Sequence, residues 1–299
     1  MFYDMLRNDS WNIGIVRKPI SNFLRNDPHL EISWFRIFND RYKFLSDPFG
    51  IRKGKTLYVF CEEFDYRAFK GRIVCIRLED SQIHPPKAVI EFPFHTSYPY
   101  LFENDGRVYC VPETRQAREI AVYSADNFPQ TWRKIATLVH DFPGVDPTVF
   151  QYDGYWWLTS AVQGRSGYRL FVWYATHPLG PWHAHEGNPV KENMSSTRPA
   201  GTPFVYENDL YRPAQDCSKT YGGRVVLNRV TSLTRSVFRE EIAATVGPST
   251  DDYFPHGLHT LSAVADITLV DGKRFIFSAT ATMRKILHTA ISAFASKTR

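Results

Sequence analysis

No stretch of this chain approaches the roughly 18 consecutive apolar residues that a membrane-crossing helix needs. The opening residues, MFYDMLRNDSWN, carry Asp4 and Asp9 and no apolar run, so they do not read as a signal peptide. Lysine and arginine are scattered and the formal charge is only +5, which argues against nucleic acid as a partner. Cysteine is scarce. Cys61, Cys75, Cys110 and Cys217 include no C-x-x-C pair and have no histidine at zinc-ligand spacing. They read as reduced core thiols, which implies a reducing compartment. With no leader or membrane span, a cytoplasmic location is expected. There is no glycine-rich phosphate loop, and neither a metal nor a cofactor is expected. No Pro/Gly/Ser-rich linker divides the 299 residues, which read as one domain.

Aromatic residues, by contrast, are abundant at 15%, with 22 Phe, 16 Tyr and 7 Trp, as suits half-buried pleated faces. They sit in a repeated pattern. In His95–Glu113 a proline opens an alternating strand, Asp105-Gly106 makes a two-residue turn, and Val108-Tyr109-Cys110-Val111 returns. Asp-Gly between apolar runs is a strong hairpin signal, because both central residues of a type I′ turn need positive φ. Proline precedes the return-strand aromatic by ten positions in Pro48/Tyr58, Pro99/Tyr109 and Pro147/Trp157. Looser copies run from Gly201 through Asn208-Asp209 to Tyr211 and from Ala265 through Asp271-Gly272 to Phe275.

Five hairpins at intervals of about 50 residues signal a repeat architecture. Each unit has room for four strands, and a ring of five blades covers faces and edges that a lone blade exposes. The expected fold is all-β, a five-bladed β-propeller with a short C-terminal helix; an open β-sandwich is the alternative. The blades fall at about 40–90, 91–140, 141–190, 191–245 and 250–280. The strand 11–16 is expected to complete the last blade and close the ring. A helix over 281–296 is expected to pack on the propeller, since Ile286, Leu287, Ala290, Ile291 and Phe294 fall at helical spacing.

In an antiparallel hairpin the start of the first strand and the end of the second lie at one end. Asp47 is therefore expected near Glu62, Tyr98 near Glu113, Asp146 near Ala161, and Ala200 near Gln215-Asp216. If each first strand is innermost, Asp47, Glu62, Glu113, Asp146 and Asp216 line one central funnel. His95, Arg198, Arg212, His256 and His259 then surround it. Several carboxylates in one concave site push their pKa values apart, which is what glycosyl chemistry needs: one proton donor and one charged base. Tyr98, Tyr100, Trp156 and Trp157 offer faces for stacking on sugars. Arg198 and Arg212 suit an acidic or phosphorylated sugar, or equally bridge blade loops.

The segments FLSDPFG (44–50), VFCEEFD (59–65), 94–113, NFPQTW (127–132), YWWL (155–158), RPAG (198–201) and YRPAQD (211–216) together resemble one known family. It is the N-terminal domain family of plant glucosamine inositolphosphorylceramide transferase and related bacterial proteins found among sugar-modifying and surface-polysaccharide genes. The resemblance covers about residues 11–280 and is similar in fold to the five-bladed propellers of glycoside hydrolase family 43. By that likeness Asp47 is the general base and Asp146 the modulator of pKa. Where those hydrolases carry their acid Glu in blade 4, this chain has Ala200-Gly201-Thr202-Pro203. The resemblance thus implies either an inverting hydrolase with Glu113 or Glu62 as donor, or a non-catalytic glycan-binding or scaffolding propeller. Substrate contacts are expected from His95, Tyr98, Trp156, Arg198, Arg212, Gln215, Asp216 and His259. The expected partner is a carbohydrate; the oligomeric state is left open.

Overall fold

The computed structural model describes residues 7–25, 31–36, 42–80, 82–279 and 281–287. Five antiparallel sheets form a five-bladed β-propeller. Each blade begins with an inner strand: Lys43–Lys53, Ser97–Asn104, Val145–Tyr152, Phe204–Tyr206 and Leu261–Val264. The neighbouring return strands are Thr56–Asp65, Arg107–Glu113, Tyr155–Gln163, Asp209–Asp216 and Ile267–Phe277. The fifth blade takes Arg7–Val16 as its third strand, paired from Arg7↔Phe277 to Val16↔Thr268. Strand Ile32–Trp34 lies outside it.

Apolar alternation places a hydrophobic cluster in each of the five seams between blades. Leu45, Val59 and Val74 of the first blade meet Ile13, Ile15 and Leu269 of the fifth. Phe60 and Ile73 of the first meet Cys110 of the second, and Tyr100 and Val111 of the second meet Val149 and Leu158 of the third. The third and fourth join through Trp157 and Leu210, the fourth and fifth through Leu227 and Val270. All four cysteines are free and buried, and Cys61, Cys75 and Cys110 pack in these seams.

Asp105-Gly106 and Asp153-Gly154 are two-residue turns with positive φ at both central positions. The two looser hairpins turn elsewhere than their sequences suggest. In the fourth blade the positive-φ pair is Glu207-Asn208, and Asp209 already belongs to the return strand. In the fifth the turn is Ala265-Asp266, with Asp271 and Gly272 inside the strand. Gly272 is there for close packing, since a Cβ would lie 2.4 Å from the Trp34 ring.

The C-terminal helix is described over 281–287. Ala281 and Thr282 are buried, and Thr282 accepts a hydrogen bond from Asn8 at 2.9 Å. Ile286 and Leu287, expected to pack on the propeller, are instead half exposed, because the first turn makes the contact. Residues 288–296 of the expected helix lie outside the described residues. Among the described residues no helix is long and apolar enough to cross a membrane.

Candidate active site

Asp47, Tyr98 and Asp146 each precede a proline, each sits at a register shift in an inner strand, and each has positive φ (52°, 44° and 51°). A non-glycine residue before proline disfavours that conformation, so three strained residues mark the same point of three blades. Hydrogen bonds hold them. The Asp47 N–H donates to Asp271 Oδ2 at 3.1 Å, the Tyr98 N–H to Asp47 Oδ2 at 3.3 Å, and the Asp146 N–H to Glu113 Oε2 at 3.2 Å. Each bulge thus turns an amide onto a carboxylate of the preceding blade, and the chain of bonds runs round the propeller axis.

Glu62 and Glu113 stand at matching places near the ends of their return strands, opposite Ser46 and Ser97. Asp47, Glu62 and Glu113, together with His95 and Arg198, line a single cavity of about 870 Å³ whose walls include Trp11, Tyr66, Tyr168 and Tyr221. That is the size and aromatic lining of a small-molecule site. Burial is the main cause that pushes the carboxyls up, Asp47 and Glu62 to about 7 and Glu113 to about 8. His259 works against the rise at Asp47 and Glu62, while Asp146 adds to it at Glu113.

Glu62 Oε2 accepts from the Ser46 hydroxyl at 2.8 Å, but buried Oε1 has no hydrogen-bond partner among the described residues. It faces His95 Nδ1 at 3.7 Å, which is itself an acceptor for the Gly71 N–H at 3.0 Å. The His95 proton is therefore on Nε2, and burial lowers the pKa of the ring. Gly71 is needed for this arrangement, since a Cβ there would lie 2.2 Å from Glu62 Oε1.

Behind the cavity wall, Arg198 grips Asp146 with two nitrogens, Nε on Oδ2 and Nη2 on Oδ1 at 3.1 Å. Gln215 donates to Asp146 Oδ2 at 3.1 Å. Asp146 and Gln215 are both buried and lie outside the cavity lining. Arg198 also donates to the Tyr168 hydroxyl at 3.2 Å and lies over the Tyr168 and Tyr221 rings. His259 is buried beside Asp47, with Nε2 at 3.6 Å from Asp47 Oδ1 and Nδ1 at 2.6 Å from Asp271 Oδ2.

Six of the eight expected contact residues stand outside the cavity lining: Gln215 and His259, placed above, and four more. Tyr98 is fully buried, its hydroxyl 2.9 Å from that of Thr148 and accepting the Gly201 N–H at 2.8 Å. Arg212 is spent on Glu240 and the carbonyls of Ser196 and Thr197. Trp156 packs on Phe102 in the second seam. Asp216 accepts from the Ser218 amide and faces Arg224 at 3.5 Å. The arginines, expected to clamp an anion or equally to bridge loops, are thus already occupied, whereas Glu62 Oε1 has no hydrogen-bond partner among the described residues.

Thr260, Asp271 and Tyr221 were not among the expected site residues. Thr260 donates to Asp47 Oδ1 at 3.1 Å. Asp47, His259 and Asp271 bring one donor atom each within 4.8 Å of one another, the spacing of a cation site. Asp271 already accepts four hydrogen bonds, from the amides of Asp47, His259 and Thr260 and from His259 Nδ1, while Asp47 accepts from Thr260 and the Tyr98 N–H, so the two carboxylates are held in one network with the imidazole.

A family profile described as "Glucosamine inositolphosphorylceramide transferase 1, N-terminal" matches residues 26–251. The chain belongs to this family. Glucosamine inositolphosphorylceramide transferase 1 of Oryza sativa subsp. japonica is 36% identical over 210 residues, covering 66% of this chain and 27% of the rice protein. The Arabidopsis thaliana protein of that name is 30% identical over 256 residues, covering 77% of this chain and 33% of its own. The chain thus spans about a quarter to a third of the curated relatives it matches.

Among solved structures, Zg3597, a family 117 glycoside hydrolase of the marine bacterium Zobellia galactanivorans, aligns with a TM-score of 0.57 at 15% identity. The alignment covers 82% of this chain and 89% of that one. A xylan beta-1,4-xylosidase from Bacillus halodurans C-125 aligns at 0.52 and 14% identity, over 71% and 48%. Likeness at that identity shows the fold alone. Ala200, expected from the resemblance to stand where the family-43 hydrolases carry an acid, is fully buried. Its N–H donates to Pro213 at 3.1 Å and its carbonyl accepts from Leu261 at 2.9 Å, so no proton donor stands there.

Proposed function

We propose that the funnel binds a glycoconjugate and cleaves a glycosidic bond by direct displacement with water. The observation that carries this reading is one cavity lined by two buried carboxyls, Asp47 and Glu113, both raised by burial, with His259 opposing the rise at Asp47 and Asp146 adding to it at Glu113. Water attacks the anomeric carbon and gives its proton to the Asp47 carboxylate. The glycosidic C–O bond breaks, and its electron pair stays on the leaving oxygen, which takes the Glu113 proton. Asp146, held by Arg198 and Gln215, keeps Glu113 protonated by its charge. Glu113, raised further by the neighbouring Asp146 charge, is the donor, so turnover on a glycan panel should be bell-shaped in pH with its maximum near neutrality. Rate falls below the peak as Asp47 gains a proton and above it as Glu113 loses one. A profile flat from pH 6 to 9 on a cleaved glycan overturns the assignment of these two residues.

Glu62 Oε1 is buried against Gly71 and the acceptor His95 Nδ1 with no donor between them, and a Glu62 rotation that turns it into the funnel would let a protonated amine of the ligand bind the carboxylate. This agrees with relatives named for glucosamine, and a free amino sugar is the ligand proposed. Glu62→Gln should then remove a preference for glucosamine over glucose of about tenfold or more, the scale of a charged hydrogen bond. Equal calorimetric affinities for the two sugars in the parent protein would sink this idea.

A second reading, binding without turnover, is favoured by the missing acid at Ala200. It predicts sugar affinity at Glu62 with no product released from any glycan of the panel.

A further inference from the structure

Beneath the funnel floor the Asp47 side chain meets a second proton-carrying group, which the displacement reaction above does not use. His259 Nε2 faces Asp47 Oδ1 at 3.6 Å, and its Nδ1 lies 2.6 Å from Asp271 Oδ2. Asp271 is fully buried, and its Oδ1 is fixed by the amides of His259 and Thr260 at 2.9 and 3.0 Å. An acceptor so anchored keeps the Nδ1 proton in place, which leaves Nε2 as the site that gains or loses one. The ring itself is clamped. Trp11 stacks on it at 4.0 Å, Tyr221 meets it edge-on at 5.5 Å, and Gly222 packs so closely that a Cβ would lie 3.0 Å from the His259 Cβ. Trp11 and Tyr221 line the funnel while His259 does not, so these two rings separate the imidazole from ligand and bulk water.

We propose that His259, oriented by Asp271 and neutral with its proton on Nδ1 before the reaction, is a positioning residue that takes up at Nε2 the proton Asp47 removes from water, so that this one proton is shared between Asp47 and His259. In that step the O–H bond at Asp47 Oδ1 breaks and an N–H bond forms at His259 Nε2. Asp47 returns to carboxylate, and His259 becomes an imidazolium whose Nδ1–H stays on Asp271. The proton goes back through Asp47 to water when product leaves. A small approach of the two side chains is required, as is common before substrate tightens a site. The charged groups facing the ring are Asp271, Asp47 and, from the funnel, Glu62, which favour its charge, and Arg198, which opposes it. Burial also opposes it, and the carboxylates prevail, so the imidazole holds its proton more firmly than an ordinary histidine. Lys273 lies beyond, over the far side of Trp11 at 5.3 Å.

The role of Asp47 as base rests on the proposed hydrolysis; the shared proton does not, and it is tested without a substrate. Long-range proton–nitrogen NMR of the histidines reads the tautomer and titration of His259 directly. In the parent protein His259 should carry Nδ1–H when neutral. In Asp47→Asn its midpoint should fall by about one unit or more, the shift produced by an opposite charge within ~4–6 Å. In Asp271→Asn the Nδ1–H preference should be lost. A His259 midpoint unmoved by Asp47→Asn overturns the proposal, whatever the glycan panel shows. On a cleaved glycan, His259→Gln should move the low-pH limb of kcat while the fold, followed by circular dichroism, is kept. A side chain that only fills space would lower stability and leave that limb where it was. If no glycan is cleaved but Asp47→Asn still shifts His259, the hydrolytic reading fails and the shared proton stands.

Discussion

Asp47→Asn is expected to lower kcat on a cleaved glycan by about 10²- to 10⁴-fold, the contribution of a positioned general base. KM should change little. The substitution is close to isosteric and its surroundings can accept it. The amide oxygen still takes the Tyr98 N–H, and the Thr260 hydroxyl, now a donor at 3.1 Å, can rotate to accept from the new NH₂. The backbone at position 47 has positive φ, a region that asparagine tolerates as readily as aspartate. What is lost is the lone pair that receives the water proton. Single-turnover kinetics with calorimetric binding would check this. A variant that binds normally and turns over within a factor of three of the parent removes Asp47 from the chemistry.

The repeat was legible because hairpins are local. Asp-Gly turns and alternating aromatics are set within a dozen residues, and both survive in Asp105-Gly106 and Asp153-Gly154. The rule failed at Asp271-Gly272, where the same dipeptide lies inside a strand. Gly272 is small there because Trp34, far away in sequence, needs the space, and Asp271 is acidic because His259 and three backbone amides converge on it. Neither reason is visible in a sequence window. The convergence of Asp47, Glu62 and Glu113 was legible, since hairpin geometry alone puts a first-strand start beside a return-strand end. Which charges are free was not. Arg212 reads equally in sequence as a ligand clamp and as a bridge between loops, and in the fold it serves Glu240 on the outermost strand of its own blade. Glu62 reads in sequence as one candidate acid among several, and only the fold shows that one of its oxygens is buried without a partner among the described residues.

Arg198→Met should have the largest effect on stability. The guanidinium is the cation that holds Asp146 in a two-nitrogen grip, and it also stands 3.9 Å from Glu113. Its side chain is only 11% exposed and that of Asp146 1%, so removing it strands a buried carboxylate rather than a surface one. Such a loss costs about 3–5 kcal/mol, a large part of the ~5–15 kcal/mol that holds a typical protein together. Methionine keeps much of the volume between the Tyr168 and Tyr221 rings, so the deficit measures charge rather than a cavity. It should also depend on pH with a definite sign. Glu113 has a folded-state pKa raised to about 8, so the stability tied to its proton is present in acid and lost as pH rises through that value. Arg198 offsets part of that rise, and without it Glu113 would have to ionise beside Asp146 alone. Urea unfolding at pH 6 and pH 9 should therefore show the variant weakened at both and more so at pH 9. Asp146→Asn in the Arg198→Met background should recover part of the loss, since the uncompensated charge is then gone. A deficit under about 0.5 kcal/mol, the scale of ordinary surface substitutions, with no recovery in the double variant, would mean that Asp146 is held by something other than Arg198.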